Sequence, residues 1–208
     1  MEEPRIVRLA TVTSTQEVAR DLAVGSIVVA DHQTAGRGRL DRRWVARPGT
    51  ALLASFVLNA HPLLSLASGV AAAEACGPDV GLKWPNDLML RGRKLGGILV
   101  EVSGARAVVG IGINLTAAPP GAARLNRSRD AVLEGLSAGL GEWSSASSSR
   151  ILERWRELSI TLGRHVRVEL PGHIFEGIAQ DVAEDGALIV DGQRVGAGDV
   201  IHLGQRGR

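Results

Sequence analysis

The chain has 208 residues, 45% of them apolar, and a formal net charge of +2, which allows a sizeable core but is low for a protein that coats nucleic acid. No apolar run approaches the roughly eighteen residues of a membrane span, and the acidic N-terminus is unlike a secretory signal, so we expect a cytoplasmic protein without a membrane partner. The single cysteine, Cys76, excludes an internal disulfide, and the absence of Cys/His clusters argues against structural zinc.

The first part of the chain predicts alternating strands and helices. Ser14 and Glu17 form a capping-box pattern, which predicts a helix reaching about Val24. A helix of small residues is predicted over 62–76. Apolar runs predict strands over 5–12, 26–31 and 50–59. A polar, glycine-rich loop without a hydrophobic period separates the last two strands.

The middle of the chain predicts a meander of adjacent strands. Turn residues at Pro85-Asn86-Asp87 break the segment GLKWPNDLML, and Arg91-Gly92-Arg93 turns the chain into the strands KLGGILVEV and ARAVVGIGINL. Repeated glycines inside these strands indicate that a ligand or another backbone approaches closely. Two helices are predicted after the meander, over 130–140 and 147–162.

From Arg164 the pattern changes to short alternating strands separated by turn residues. Their total length, about 45 residues, is marginal for an independent core. We therefore expect a small β module that docks on the larger domain.

Lysine is rare in this chain. Only Lys83 and Lys94 are lysines among its 24 basic lysine and arginine residues, and both lie in the segment KWPNDLMLRGRKLGG. Lysine presents a compact, flexible ammonium, whereas arginine presents a rigid planar fork. We interpret the two exceptions as positions that need a small point charge near a phosphate or carboxylate, with chance in an arginine-biased composition as the alternative.

A second concentration of charge lies in the loop GRGRLDRRW, which begins at Gly36 and carries four arginines. Arginine suits bidentate capture of carboxylate or phosphate, and a loop that closes over an anion also excludes water. The alternative is a solvated basic loop or an RNA contact, because short basic strings are weak motifs.

The chain resembles the biotin protein ligases, also called biotin–[acetyl-CoA-carboxylase] ligases, in the order and spacing of five short motifs. In chain order these are Ser14-Thr15, HQTAGRGR with RRW, KWPND, RKLGGILVE and GIGIN. The resemblance covers residues 5–115 strongly and the β module more loosely. It implies that ATP activates biotin as biotinyl-5′-AMP, and that the acyl group then passes to a lysine of a biotin carboxyl-carrier domain. Mg²⁺ would assist as the metal cofactor.

The resemblance assigns roles residue by residue. Lys94 would bridge the biotin carboxylate and the α-phosphate, Arg39 would hold the intermediate, and Lys83 would help transfer near the acceptor amine. The residues expected around biotin are Ser14, Thr15, Gln16, Gln33, Gly96, Gly97 and Gly112. The residues expected around the adenylate, phosphates and Mg²⁺ are Gly36, Arg37, Gly38, Arg42, Trp44, Asn86, Asp87 and Asn114, with Asp87 as the metal ligand. Each residue alone also has a structural interpretation, such as a turn former for Asn86.

The sequence departs from the family pattern in two places. Gln16 stands where the family commonly has asparagine, and Leu40-Asp41 stands where the family usually has a small or glycine-containing segment. The chain also resembles a short form of the family without the N-terminal helix-turn-helix of some relatives. We therefore expect no binding to DNA, while a homodimer is compatible with the pattern.

The resemblance implies an α+β fold. Residues 1–162 would form a class II aminoacyl-tRNA synthetase-like catalytic domain with a mixed sheet and flanking helices, and residues 163–208 a small Src-homology-3-like β-barrel. One alternative is a lipoyl or octanoyl ligase or transferase on the same fold, for which a transferase would need a nucleophilic cysteine or another arginine motif. The other is a non-enzymatic nucleic-acid-binding module, which would spread its charge over a face.

Overall fold

The computed structural model describes residues 5–203 and contains two β-sheets with helices packed against the larger one. The first sheet has seven strands: β1 (Ile6–Val12), β2 (Ile27–Gln33), β3 (Ala51–Asn59), β4 (Val80–Lys83), β5 (Asp87–Leu90), β6 (Arg93–Ser103) and β7 (Arg106–Asn114). Their order is β1-β2-β3-β7-β6-β5-β4; among these described strands only β1 and β2 pair in parallel. This mixed, largely antiparallel sheet confirms the predicted α+β class.

Within residues 5–203 four helices cover the sheet: α1 (Thr15–Ala19), α2 (Leu64–Cys76), α3 (Arg129–Trp143) and α4 (Ser148–Leu158). Helix α2 is apolar almost all round and is buried between the sheet, α3 and α4, as expected for a helix without a solvent face. Helix α1 packs on the opposite face, where Ala19 joins Val28, Val57 and Val108 in a smaller apolar cluster.

Helix α1 ends five residues before the predicted Val24. The carbonyls of Arg20 and Leu22 accept hydrogen bonds from the guanidinium of Arg106 on β7 instead of from helical amides. A tertiary contact therefore stops a helix whose length alone would leave it marginal. The capping box is also only half formed, because Ser14 Oγ accepts from the Gln16 amide while Glu17 accepts from Thr13 Oγ1.

The second sheet is formed by β8 (His165–Leu170), β9 (His173–Val182), β10 (Leu188–Val190), β11 (Gln193–Val195) and β12 (Asp199–His202). Its strands are antiparallel in the order β11-β10-β9-β8-β12, as expected for the small barrel module. It docks on the first sheet through the Trp84 indole, which donates to Gly186 O, and on helix α4 through an ion pair between Arg156 and Asp181. Within residues 5–203 no helix combines the length and apolar character needed to cross a membrane.

Candidate active site

A cavity of about 260 Å³ lies between the seven-stranded sheet, the arginine loop and the second sheet. Many of the residues predicted from the sequence line it: Ser14, Thr15, Gln16, Gln33, Arg37, Gly38, Arg39, Arg42, Trp44, Lys83, Asn86, Asp87, Lys94, Gly97 and Gly112. The fold therefore gathers segments that are far apart in the chain into one site with a neutral polar end and a strongly basic end.

The neutral end is a network of side chains from α1, β2 and β3. The Thr15 amide and hydroxyl both donate to Gln33 Oε1, at 2.7 and 3.0 Å. Ser55 Oγ lies 2.8 Å from Thr15 Oγ1 and donates to Gln16 Oε1 at 3.1 Å. The two hydroxyl protons cannot serve all three oxygen contacts, and the hydroxyl oxygens of Thr15 and Ser55 keep lone pairs that can accept from an outside N–H group.

Buried Ser14 adds a hydrogen-bond donor to this network. Its Oγ accepts from the Gln16 amide at 3.3 Å, and within residues 5–203 its own hydroxyl proton has no acceptor. The neutral end thus offers both a free donor and an open acceptor. This combination suits a small neutral group that carries a carbonyl and N–H donors together.

The side chain of Gln16 is used mainly within the protein. Its Nε2 donates to Val108 O at 3.0 Å, with Leu99 O a second acceptor at 3.5 Å, and the side chain is buried. Its Oε1 occupies the space that a Cβ at Gly110 would need. The extra methylene of glutamine therefore lets α1 reach the carbonyls of β6 and β7, and a glycine in β7 leaves room for the amide.

The arginine loop folds as a small hairpin across the mouth of the cavity. Arg37 and Arg43 form a bridge, and Gly38 N donates to Arg42 O at 2.7 Å. At its tip Leu40 and Asp41 have φ values of 51° and 56°, the left-handed region that type I′ turns require at both central residues. Asp tolerates this region, whereas Leu does so at some cost.

Three of the four arginines that line the cavity have an oxygen partner on a different element. Arg37 pairs with Glu101 of β6 at 2.8 Å, and Arg42 pairs with Asp199 of β12. Arg39 donates to Asn86 Oδ1 at 3.3 Å. Burial lowers the pKa of Arg39, against the opposing effect of Asp199 and Asp87. A guanidinium that has lost part of its hydration but stays charged is well suited to bind an anion.

A β-bulge aims Lys94 into the cavity. The β5–β6 register shifts between Leu88 and Met89, so Leu95 has no partner of its own and is fully buried. The extra residue brings Lys94 and Gly97 to the same face, and Lys94 Nζ lies 3.7 Å from an ideal Cβ at Gly97. Bulges commonly redirect a side chain beside a functional site.

The hairpin between β4 and β5 supplies the remaining groups at the basic end. Lys83 and Asp87 are directly opposite partners in its register, and Asp87 Oδ1 lies 2.5 Å from Lys94 Nζ. Asn86 is fixed by its Nδ2, which donates to Ile98 O at 2.7 Å. Among the described residues Lys83 has no carboxylate within ion-pair distance, so its ammonium is available to an anion in the cavity.

Trp44 occupies the space that the glycines of β6 and β7 leave open. Its ring lies 2.5 Å from an ideal Cβ at Gly112 and 3.6 Å from one at Gly97. Gly112 therefore makes room for a protein ring, and a side chain there would displace the tryptophan. The Trp44 indole N–H is buried and has no partner in the described part of the chain, so it can donate to a ligand.

Three predicted residues lie outside the cavity lining, namely Gly36, Gly96 and Asn114. Gly36 packs against Trp44 O, and an ideal Cβ at Gly96 would lie 2.6 Å from Gly112 O. Asn114 is buried and donates to Ala123 O at 3.1 Å. All three support the walls of the site through protein contacts, and their roles toward a ligand remain predictions.

Sequence reasoning missed three polar residues that line the cavity: Ser55, Glu169 and Asp199. Ser55 had a usable signal, because it is a hydroxyl within the otherwise apolar strand TALLASFVLN. Glu169 and Asp199 had none, since they face each other across β8 and β12 of the second module and reach the site only through docking.

Two observations limit the chemistry of this site. Burial raises the pKa of Cys76 to about 12, and this residue lies in α2 outside the cavity lining, so a thiolate nucleophile is not available. No group of three or more His, Cys, Asp or Glu side chains suited to a metal occurs within residues 5–203. Asp87 pairs with Lys94 and lies opposite Lys83 in the register of the hairpin.

The family models match both parts of this architecture. The model described as "Biotin/lipoate A/B protein ligase family" matches residues 6–116, and the one described as "Biotin protein ligase C terminal domain" matches residues 161–203. The chain belongs to the biotin/lipoate protein ligase family. Both matched segments contribute residues to the cavity.

The similarity to individual members of this family covers most of the chain. It is 39% identical to the biotin–[acetyl-CoA-carboxylase] ligase of Mycobacterium tuberculosis, covering 86% of this chain and 79% of that protein. It is 32% identical to the bifunctional ligase/repressor BirA of Escherichia coli, covering 88% and 68%. The structure of the Aquifex aeolicus biotin protein ligase in complex with biotin and ATP superposes with a TM-score of 0.80 at 28% identity, over 95% of this chain and 97% of that one.

Proposed function

We propose that this protein is a biotin–[biotin carboxyl-carrier protein] ligase that activates biotin with ATP and transfers it to a carrier lysine. The observation that carries the proposal is the division of one cavity into a neutral polar end and a basic end. Biotin has the matching division, with a neutral ureido ring at one end and a carboxylate at the other. The ligases of this family from M. tuberculosis and A. aeolicus support the same assignment.

The neutral end fits the ureido group. Its carbonyl can accept from the free Ser14 hydroxyl, and its N–H groups can donate to the oxygen network around Thr15 and Ser55. A lipoyl or octanoyl group has no carbonyl or N–H there and would leave the buried Ser14 hydroxyl proton without an acceptor. Sites built for hydrogen bonding reject analogues that lack the partner by about 10⁴–10⁵.

The basic end fits a reaction between two anions. The biotin carboxylate must attack the α-phosphate of ATP, and Lys94 lies where its flexible ammonium can leave Asp87 and reach both groups. Arg39, already partly desolvated, would hold the remaining charge of the adenylate. The chain supplies position and positive charge for this step, which needs no enzyme nucleophile.

The nucleotide and the metal would be held by Trp44, Arg42 and Asp87. Trp44 offers a ring face and an unpaired indole N–H for the adenine side, and Arg42 can exchange Asp199 for a phosphate. Asp87 would hold Mg²⁺, because Mg²⁺ is commonly bound by one or two carboxylates together with substrate phosphates. When bound, Mg²⁺ would neutralise phosphate charge.

Transfer follows when the carrier lysine attacks the activated carbonyl as a neutral amine and AMP leaves. Lys83 has no carboxylate partner among the described residues and lines the cavity, so its positive charge would favour the neutral form of an incoming amine and stabilise the departing phosphate. The partner is the biotin-carrier domain of a carboxylase, and the single cysteine is in keeping with a cytoplasmic location. We assign residues 1–162 to the catalytic domain and the remainder to the barrel.

Biotin-dependent exchange of radiolabelled pyrophosphate into ATP tests this function against its rivals. The proposal requires exchange with biotin and little with lipoate or octanoate. Exchange with octanoate or lipoate in preference to biotin would assign the chain to the acyl ligases of the same fold. No exchange with any of the three acids would remove the ligase assignment.

A further inference from the structure

The connection between the two sheets lies directly beside the hairpin that carries Lys83 and Asp87. After α4, Ser159 forms a parallel bridge with Leu82, and Ile160 N donates to Leu82 O at 2.9 Å. Ile160 also fills the space that a Cβ at Gly81 would need. The connection therefore lies along the free edge of β4 and pairs with it at one bridge.

The next residue, Thr161, is fully buried at the junction of both sheets. Its Oγ1 accepts from the Trp84 amide at 3.0 Å and lies 3.1 Å from Nε2 of His202 on β12. The Trp84 indole donates to Gly186 O at 3.0 Å. Both the main chain and the side chain of Trp84 are thus held by the C-terminal part of the chain.

The other half of the hairpin is held by the first sheet. Asn86 Nδ2 donates to Ile98 O at 2.7 Å, and Ile98 N donates to Asn86 O at 3.0 Å. The loop between Lys83 and Asp87 is therefore fixed from two sides. Only the side at Trp84 depends on the second module.

The protonation of His202 suits this arrangement. Burial, together with the positive charges of Lys83 and Arg164, lowers the pKa of His202 to about 4. A neutral ring can accept the Thr161 proton at Nε2, while the Thr161 oxygen accepts from Trp84. The orientation of the Thr161 hydroxyl is then fixed, because its proton is donated to His202 and one of its lone pairs accepts from the Trp84 amide.

We propose that Thr161, oriented by His202, is a positioning residue for adenylation that fixes the Trp84 main chain and so places Lys83 and Asp87 at the basic end of the cavity. This inference rests on the proposed ligase function. The neutral end of the cavity is built from α1, β2 and β3 and makes no hydrogen bond to this network within residues 5–203. Loss of the Thr161 hydroxyl should therefore impair the use of ATP and leave biotin binding intact.

The test is Thr161→Val, which keeps the shape and removes the hydroxyl. Because it leaves the buried Trp84 amide without an acceptor, we expect kcat/KM for ATP in biotin-dependent pyrophosphate exchange to fall about tenfold. The biotin dissociation constant should stay within about twofold. Thr161→Ser should restore kcat/KM for ATP. Thr11→Val, at an exposed position of edge strand β1, should match wild type.

Hydrogen exchange of the segment 82–88, followed by mass spectrometry, gives a readout that does not need activity. We expect faster exchange at Trp84 in Thr161→Val than in wild type. If that variant does not fold, His202→Leu replaces it, because this ring is only half-buried. We expect it to lower kcat/KM for ATP and to speed hydrogen exchange at Trp84, both by less than Thr161→Val.

Unchanged ATP parameters and unchanged hydrogen exchange in Thr161→Val would overturn the positioning role, as would equal losses for biotin and ATP. A wild-type protein without biotin-dependent exchange would instead overturn the proposed function. In that case the hydrogen-exchange comparison still decides whether Thr161 positions the hairpin.

Discussion

Lys94 Nζ lies 2.5 Å from Asp87 Oδ1, across the bulged pairing of β5 and β6. The lysine side chain is still 46% exposed and the carboxylate 20% exposed, and ion pairs with this much solvent contact contribute little to stability. An arriving carboxylate or phosphate can therefore replace Asp87 at a small cost. The pair keeps Lys94 at its position in the cavity and leaves it able to move.

The first prediction is that Lys94→Arg loses adenylation although it keeps the charge. The guanidinium is a rigid planar fork and cannot replace a small ammonium that must contact two anions at one point. Loss of such a contact in the transition state lowers the rate by about 10²–10³, which pyrophosphate exchange will measure.

The adjacent exposed residue provides a matched control for this variant. Arg93→Lys exchanges the same two residue types outside the cavity and should behave as wild type. A Lys94→Arg enzyme within a few-fold of wild type would show that Lys94 has no bridging role.

The second prediction concerns retention of the intermediate by Arg39. Arg39→Gly removes a partly buried cation that contacts Asn86, while Lys94 stays in place. We expect adenylate binding to weaken by about 2–4 kcal/mol, a factor of roughly 30–1000. The variant should still consume ATP with biotin but release biotinyl-AMP, which labels lysines of a bystander protein.

Biotin on a protein without a carrier domain is the readout, and Arg47→Gly, at an exposed position after the loop and outside the cavity lining, is the control. A variant of Arg39 that is inactive in pyrophosphate exchange, or that labels only the carrier, would contradict the retention role.

The third prediction uses the strained tip of the arginine hairpin. Leu40 is 61% exposed and has a φ of 51°, a conformation that costs a residue other than glycine, asparagine or aspartate roughly 1–2 kcal/mol. Leu40→Asn should stabilise the closed hairpin, whereas Leu40→Ala should not. We expect trypsin to cut the ligand-free Asn variant after Arg37–Arg43 more slowly than wild type, and biotin with ATP to protect both. Equal cutting of the Asn and Ala variants would show that backbone strain does not limit closure.

The fourth prediction is a pH dependence of stability at His202. Because its pKa is lowered from 6.5 to about 4, the unfolded chain binds a proton below about pH 6.5 that the folded chain does not bind until about pH 4. The free energy of unfolding therefore falls as the pH drops through this window. We expect the difference between wild type and His202→Gln to change by about 1 kcal/mol between about pH 7 and pH 4.5, less than the full shift implies because the ring is half-buried.

Urea unfolding of both proteins at the two pH values provides the measurement. The comparison removes the effect of other titrating groups, since Lys83 and Arg164 remain in both chains. A constant difference across the window would contradict the coupling.

Most strands and most cavity-lining residues were predictable because short sequence patterns determine them. The segment KWPND predicts a turn from its own residues, and the structure places it between β4 and β5. Boundaries set by distant contacts were not predictable, as the early end of α1 shows, because Arg106 caps the carbonyls of Arg20 and Leu22 from another strand.

The site shows the same limit. Ser14 and Thr15 could be found by motif, whereas Asp199 enters the cavity only when the second module docks and Arg42 pairs with it. The glycines of β6 and β7 indicated a close approach correctly, but the sequence could not show that the Trp44 ring fills the space at Gly112.

The most direct test of the central claim is the mass of a purified biotin-carrier domain after incubation with this protein, biotin and ATP. The account predicts that one biotinyl group is added to a single lysine, that omission of ATP abolishes the addition, and that octanoate or lipoate does not replace biotin. A carrier domain of unchanged mass, or one modified by lipoate or octanoate in preference to biotin, would contradict it.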